Sequence, residues 1–213
     1  MQKNKTVRAF SAFALSAAVV GGAALTVVNG VNAAQESAKT QAAAAGGAFK
    51  VDPVHASVIF SIKHLKASNF YGRFNDISGS FLLDGSDKSM IDISVKTASV
   101  DTDNSKRDDH IRSQDFFSAK EFPTFSFKST SVKKTGENTF DVVGELTVRG
   151  QTKPLTVKVE KTGEGPGMAP GVTVAGFETR FTFKRSDFGM NKYVAEGVLS
   201  DEVSLIVAIE GGR

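Results

Sequence analysis

From Val54 onward, apolar and polar side chains alternate with a period of two. Val54, Ala56, Val58, Phe60 and Ile62 alternate with His55, Ser57, Ile59, Ser61 and Lys63. The same period recurs in residues 91–95, 125–127, 140–148, 155–159, 177–183 and 203–209. Successive side chains leave a strand on opposite faces, so this pattern predicts half-buried strands. Residues 72–84 also read as a strand, although Phe74 and Phe81 are an odd number of positions apart; a bulge near Gly79 would put both on one face. Turn-forming stretches such as GSDKS, KTGEN, VRGQTKP and GEGPGMAPG separate most of these segments, and connections this short favour antiparallel neighbours. Helix is predicted only at residues 105–113, with Ser105 as N-cap and Asp108 as its capping-box partner, and as at most one turn in HLKAS. Eight strands with one or two short helices predict an all-β sandwich or barrel, and closure into an eight-stranded antiparallel barrel has the advantage of removing edge strands.

In a barrel the apolar faces look at one another. The predicted inner wall comprises Phe60, Ile62, Phe74, Phe81, Ile93, Phe125, Phe127, Leu146, Phe177, Phe181, Phe183 and Val207. Eight strands enclose a space that is either just filled or large enough for one small ligand. A strand of about 11 residues is ~36 Å long, the scale of a long acyl or prenyl chain. Aromatic side chains are usually core, and periodicity alone does not choose between a filled interior and a ligand tunnel.

The start of the chain has a different character. Lys3, Lys5 and Arg8 precede an apolar run at residues 9–28, and Val31 and Ala33 are spaced as a small-residue cleavage site requires. Residues 1–33 read as a cleavable signal peptide, which implies a periplasmic or secreted protein. The rival reading is a retained anchor, since the run is long enough to span a bilayer. Residues 34–48 read as a flexible Ala/Gly-rich linker, and residues 49–213 as the folded domain. Cleavage changes the charge: it leaves 23 basic against 23 acidic residues, so no basic excess remains to suggest nucleic acid. With no cysteine, disulfides and thiolate chemistry are excluded.

The densest polar stretch runs into the densest aromatic one. In SKRDDHIRSQDFFSAKEFPTFSF, residues 106–112 hold six charged or ionisable side chains, and residues 116–127 hold five Phe. DTDNSKRDDHIR has the outline of a calcium loop, but Lys106 stands where the sharp turn needs Gly and Arg112 where a bidentate Glu belongs. His55 and His64 are nine residues apart in one predicted strand, ~30 Å if it is straight, too far to share an ion. No metal-ligand spacing, G-x-S-x-G elbow or other catalytic motif is present, so neither metal, cofactor nor catalytic residue is assigned. The bland account of Arg107, Asp108, Asp109, His110 and Arg112 is a solvated helix face; the functional account is a polar rim at a barrel mouth.

Four stretches, VDPVHASVIFSIKHLKASNFYGRF, SKRDDHIRSQDFFSAKEFPTFSF, GELTVRGQTKPLTVKV and RSDFGMN, resemble in this order the motifs of the YceI-like family. These are exported, lipocalin-like, polyisoprenoid-binding proteins. The resemblance spans residues 49–210. It implies an eight-stranded barrel whose tunnel holds an isoprenoid or fatty-acyl chain, with no established catalysis. It further implies that His55, His64, Arg107, Asp109 and His110 serve either structure or the ligand's head group. A lipid carrier is therefore expected, with His64, Arg73, Arg107, Asp109 and His110 at the rim. A homodimer and passing contact with a membrane are compatible with this reading. The alternatives are an enzyme of isoprenoid or quinone metabolism using His110 with Asp109, and an envelope stress protein with a filled core.

Overall fold

The computed structural model describes residues 47–213; the predicted signal segment, and the predicted linker apart from its last two residues, lie outside the described residues. Strands β1 (Phe49–Val51), β2 (Ser57–His64), β3 (Ser68–Phe74), β4 (Ile77–Leu82), β5 (Met90–Lys96) and β6 (Val100–Asp101) precede one helix, α1 (Ser105–Arg112). Strands β7 (Thr124–Lys134), β8 (Thr139–Val148), β9 (Gln151–Pro166), β10 (Thr173–Lys184) and β11 (Leu199–Gly212) follow. All pairings are antiparallel, and β1 joins β4 on one side to β11 on the other, which closes the ring.

The ring is an eight-stranded barrel. β1 and β2 form one interrupted strand, since both pair with β11. β3 and β4 form another, since they pair with β2 and β1 respectively. The period-two pattern thus produces the expected closed barrel. Two details differ from expectation. Val54 does not continue the first strand inward: it is 82% exposed, in the turn that separates β1 from β2. The break that reconciles Phe74 with Phe81 lies at Asn75 and Asp76, where Asn75 N donates to Ser99 O and Lys96 N to Asp76 O, rather than at Gly79. Gly79 is instead a point of close approach: its φ is +138°, and a Cβ there would sit 2.0 Å from Asp92 O.

The helix is also capped one residue earlier than predicted. Asn104, not Ser105, is the N-cap, its side chain accepting from Arg107 N. Asp108 turns outward from the helix and accepts from both the backbone N–H and the hydroxyl of Thr102. Arg112 donates to Ala98 O and Val100 O. An eight-residue, mostly charged helix is marginal alone; here it is pinned by polar tethers, with Ile111 as its apolar side chain against the core.

The two ends of the barrel differ. At the closed end Phe49 stacks on Phe81 at 5.5 Å and Phe81 meets Phe177 edge-on at 5.0 Å. At the other end β3 leaves the sheet: β6 covers it only at Arg73 and Phe74, so residues 68–72 have β2 on one side and no strand on the other among the described residues. The gap is filled by α1 and the segment after it. Phe117 lies between Phe74 of β3 and Phe125 of β7, at 5.5 and 5.9 Å.

Candidate functional site

The interior contains a cavity of ≈ 410 Å³ at the splayed end and a smaller one of ≈ 50 Å³ beneath it. Of the predicted wall residues, Phe60, Ile62, Phe74 and Phe183 line the large cavity. Ile93, Phe127, Phe177, Phe181 and Val207 line the small one. Phe125, Leu146 and Leu205 line both and form the waist between them. Phe81 lines neither; it is 1% exposed, locked between Phe49 and Phe177. The aromatic side chains therefore divide by height. They plug the closed end and leave space at the splayed end, so the open length is shorter than a full strand.

The predicted rim also divides. His64, Arg107 and His110 line the cavity. Arg73 does not, because it alternates with the inward Gly72 and Phe74 and therefore faces outward, opposite Asp101. Asp109 does not either: its side chain is 78% exposed and paired with Arg112 Nη1 at 3.0 Å. The pairing of His110 with Asp109 fails for the same reason. The carboxylate that meets His110 Nε2, at 2.8 Å, is Asp115. That hydrogen bond, aided by Lys192 at 3.9 Å, holds the Asp115 carboxyl below the usual aspartate range.

Arg107 is held by its own neighbours. Its Nε donates to Thr102 Oγ1 at 2.9 Å and its Nη2 to Thr102 O at 2.8 Å, with the guanidinium 4.3 Å from the centre of the Phe70 ring. Stacking of this kind suits the planar arginine head.

Residues outside the predicted wall and rim complete the chamber. Phe70, Ile111, Phe116, Phe117 and Tyr193 line it, as does Arg185. Arg185 is 2% exposed, yet its guanidinium has no carboxylate partner among the described residues. Nε, Nη1 and Nη2 donate to the carbonyls of Ser200, Met190 and Leu199. Burial lowers its pKa, and nearby Asp201 opposes the shift. The signal for Arg185 was in the alternation: Phe181, Phe183 and Arg185 are two apart, so the inward face of β10 runs on into the Arg185–Phe188 turn. Phe70 similarly precedes Gly72 and Phe74 on the inward face of β3.

A second cluster lies at the closed end, where Asp52, His55 and Glu210 bring their donor atoms within 4.8 Å. His55 Nδ1 lies 2.8 Å from Asp52 and 3.9 Å from Glu210. The His55–Asp52 hydrogen bond in this solvated setting accounts for the arrangement without an ion.

The fold and cavity together define a closed β-barrel with an internal apolar chamber and a polar mouth. The chain belongs to the YceI-like family, whose domain matches residues 49–211. It is 43% identical over 175 residues to a UPF0312 protein of Azotobacter vinelandii, covering 81% of this chain and 90% of that one. It is 42% identical over 169 residues to a UPF0312 protein of Pseudomonas aeruginosa, covering 78% and 86%. Among solved structures it resembles the YCEI protein of Campylobacter jejuni, with a TM-score of 0.64 and 32% identity over 71% of this chain and 90% of that one. It shares the fold of Burkholderia cenocepacia BcnA, with a TM-score of 0.67 and 24% identity over 76% and 99%. A polyisoprenoid binding domain from Saccharophagus degradans has the same fold, with a TM-score of 0.55 and 15% identity over 76% and 96%.

Proposed function

We propose that this chain is an exported lipid-binding protein that holds an isoprenoid or fatty-acyl chain inside the barrel and catalyses no reaction on it. The observation that carries this reading is the ≈ 410 Å³ chamber, lined mainly by aromatic and aliphatic side chains, with Arg185 buried in its wall and His64, Arg107 and His110 as its other ionisable groups. A volume of this order is typical of small-molecule sites, about 300–1,000 Å³. Each buried methylene contributes about 0.8 kcal/mol, so a chain only partly inside is held firmly. Membership of the family and the described binding of the Saccharophagus domain support the same class of ligand. Export rests on the basic start, apolar run and small-residue site of residues 1–33. A cargo insoluble in water must be loaded and released by passing contact with a membrane or another carrier.

The test is native mass spectrometry of the protein purified from the exported fraction without detergent, then solvent extraction. A discrete added mass that extraction removes, identified as a prenyl or acyl lipid, is the expected result. A clean protein mass, together with no uptake of added prenyl or acyl chains, would overturn the carrier reading and return the cavity wall to simple packing.

A further inference from the structure

The large cavity is lined by two arginines and two histidines and by no aspartate or glutamate. The carboxylates near it are already engaged elsewhere. Asp108 accepts from Thr102, one hydrogen bond behind Arg107. Asp115 is bonded to His110, and Asp201 accepts from the backbone and hydroxyl of Ser186. Among the described residues, Arg107 and Arg185, like the outward Arg73 and Arg149, form no ion pair, whereas Arg112, Arg180 and Arg213 do; of the four without one, only Arg107 and Arg185 line the cavity. Asp201 acts on the Arg185 guanidinium without forming a direct ion pair, and the guanidinium N–H groups go to carbonyls; a buried charge of this kind gains when a further opposite charge comes into contact.

We propose that the polar end of the bound lipid is an oxyanion, a phosphate ester or a carboxylate, and that Arg107 and Arg185 are its counter-charges. This deepens the carrier reading and rests on it. Arg185 offers a fixed positive charge inside the wall, and Arg107 offers the unused N–H groups of a guanidinium anchored by Thr102 and Phe70 at the mouth. Planar guanidinium forks match both phosphate and carboxylate. A neutral head, such as an alcohol or a quinone ring, brings no opposite charge to either guanidinium.

The test keeps the tail constant and changes the head. The full chain, freed of co-purifying lipid, is titrated calorimetrically with geranylgeranyl phosphate against geranylgeraniol, and with palmitate against hexadecanol. Charge-assisted hydrogen bonds are worth about 1.5–3 kcal/mol, so the anionic member of at least one pair should bind roughly 10- to 100-fold tighter. Arg107 is exposed, so Arg107→Gln should fold normally; it should shrink that ratio several-fold, weakening the anion far more than the alcohol. Arg185→Lys, which keeps the charge but loses the fork, should shrink it less than Arg185→Gln. Equal binding of anion and alcohol would overturn the inference and leave the carrier reading intact, as would a ratio that Arg107→Gln does not change. Failure of all four chains to bind would overturn both. Inorganic phosphate should compete only weakly; if it binds as tightly as geranylgeranyl phosphate, the site is one for the free anion and the lipid assignment falls.

Discussion

The Arg107 guanidinium lies 4.3 Å from the centre of the Phe70 ring, joining α1 to the part of β3 that, among the described residues, only β2 pairs with. The barrel is sealed there by side chains instead of a backbone ladder. An exposed contact of this type is worth about 0.5–1 kcal/mol. Phe70→Leu should therefore leave global stability within about 1 kcal/mol of wild type while the amides of α1 exchange up to roughly fivefold faster. Hydrogen exchange read by mass spectrometry checks this. Unchanged protection of residues 105–112 would show that the Thr102, Ala98 and Val100 tethers alone close the gap.

The β2–β3 hairpin turns through Leu65 and Lys66, both left-handed, with φ of +52° and +58°. Neither residue suits that conformation, which Asn and Gly adopt readily. Lys66→Gly should therefore stabilise the domain by about 0.5–1 kcal/mol. The measurement is a urea unfolding curve: the midpoint should rise with an unchanged slope. A fall in midpoint would mean that the Lys66 side chain contributes more at the mouth than its backbone costs.

Gly79 makes the opposite case. Its Cβ would meet Asp92 O at 2.0 Å, and no rotamer change relieves a clash between backbones. Gly79→Ala must shift β4 against β5, and a cost of about 2 kcal/mol or more is expected from strain and lost ladder bonds. Thermal unfolding of the purified variant reads it, and a melting temperature equal to wild type would contradict the close packing described.

The alternation in the sequence made the barrel legible because every inward strand position is two from the next, and burial follows that arithmetic through Val58, Phe140, Val142, Leu146, Phe177 and Ile209. It failed where the period broke. Val54 was counted inward because nothing in the pattern marks the five-residue interruption at residues 52–56. Phe81 was placed on the tunnel wall because parity gives a face but not a height, and only the stacking of Phe49 and Phe177 around it shows that this level is filled. Asp109 was paired with His110 because they are neighbours in sequence, yet adjacent helix positions point about 100° apart, and Asp115 reaches back from beyond the helix end. Arg185 shares the parity of Phe181 and Phe183, but an arginine in a strand pattern reads as a surface residue, and only the carbonyls of Ser200, Met190 and Leu199 around it make its burial possible.

At the closed end, His55 is hydrogen-bonded to Asp52, which raises the histidine above its ordinary pKa, with Glu210 adding a smaller pull; Asp52 is lowered by the same bond. The raised His55 stabilises the fold below its unfolded-state pKa, and this contribution is lost as pH rises through the folded value. The lowered Asp52 stabilises above its unfolded-state pKa, and this is lost as pH falls through its folded value. The pair thus helps most in the mildly acidic range between the two folded-state values, and loses one contribution on either side of it. In an NMR titration the His55 midpoint should lie above that of a free histidine, and Asp52→Asn should bring it down. A midpoint that Asp52→Asn leaves in place would remove Asp52 as the cause.

Leu205 stands at the waist, 5% exposed and lining both the ≈ 410 Å³ and ≈ 50 Å³ spaces. Truncating it has two consequences of different kind. Removing a buried leucine side chain costs about 2–5 kcal/mol, because the lost transfer energy adds to the cost of the new void. The void also joins the two spaces, so a chain that stops at Phe125 and Leu205 in the wild type can pass toward Phe177 and Phe181. Leu205→Ala should therefore be less stable when empty yet accept longer tails. In binding measurements across saturated chains of increasing length, the length beyond which affinity stops rising should move up by several carbons. Each newly buried methylene can add about 0.8 kcal/mol, so the gain in affinity should be measurable from the first two carbons. A plateau at the wild-type length, in a variant whose empty form shows the stability loss, would mean that the tail never reaches the waist and that the large chamber alone holds the ligand.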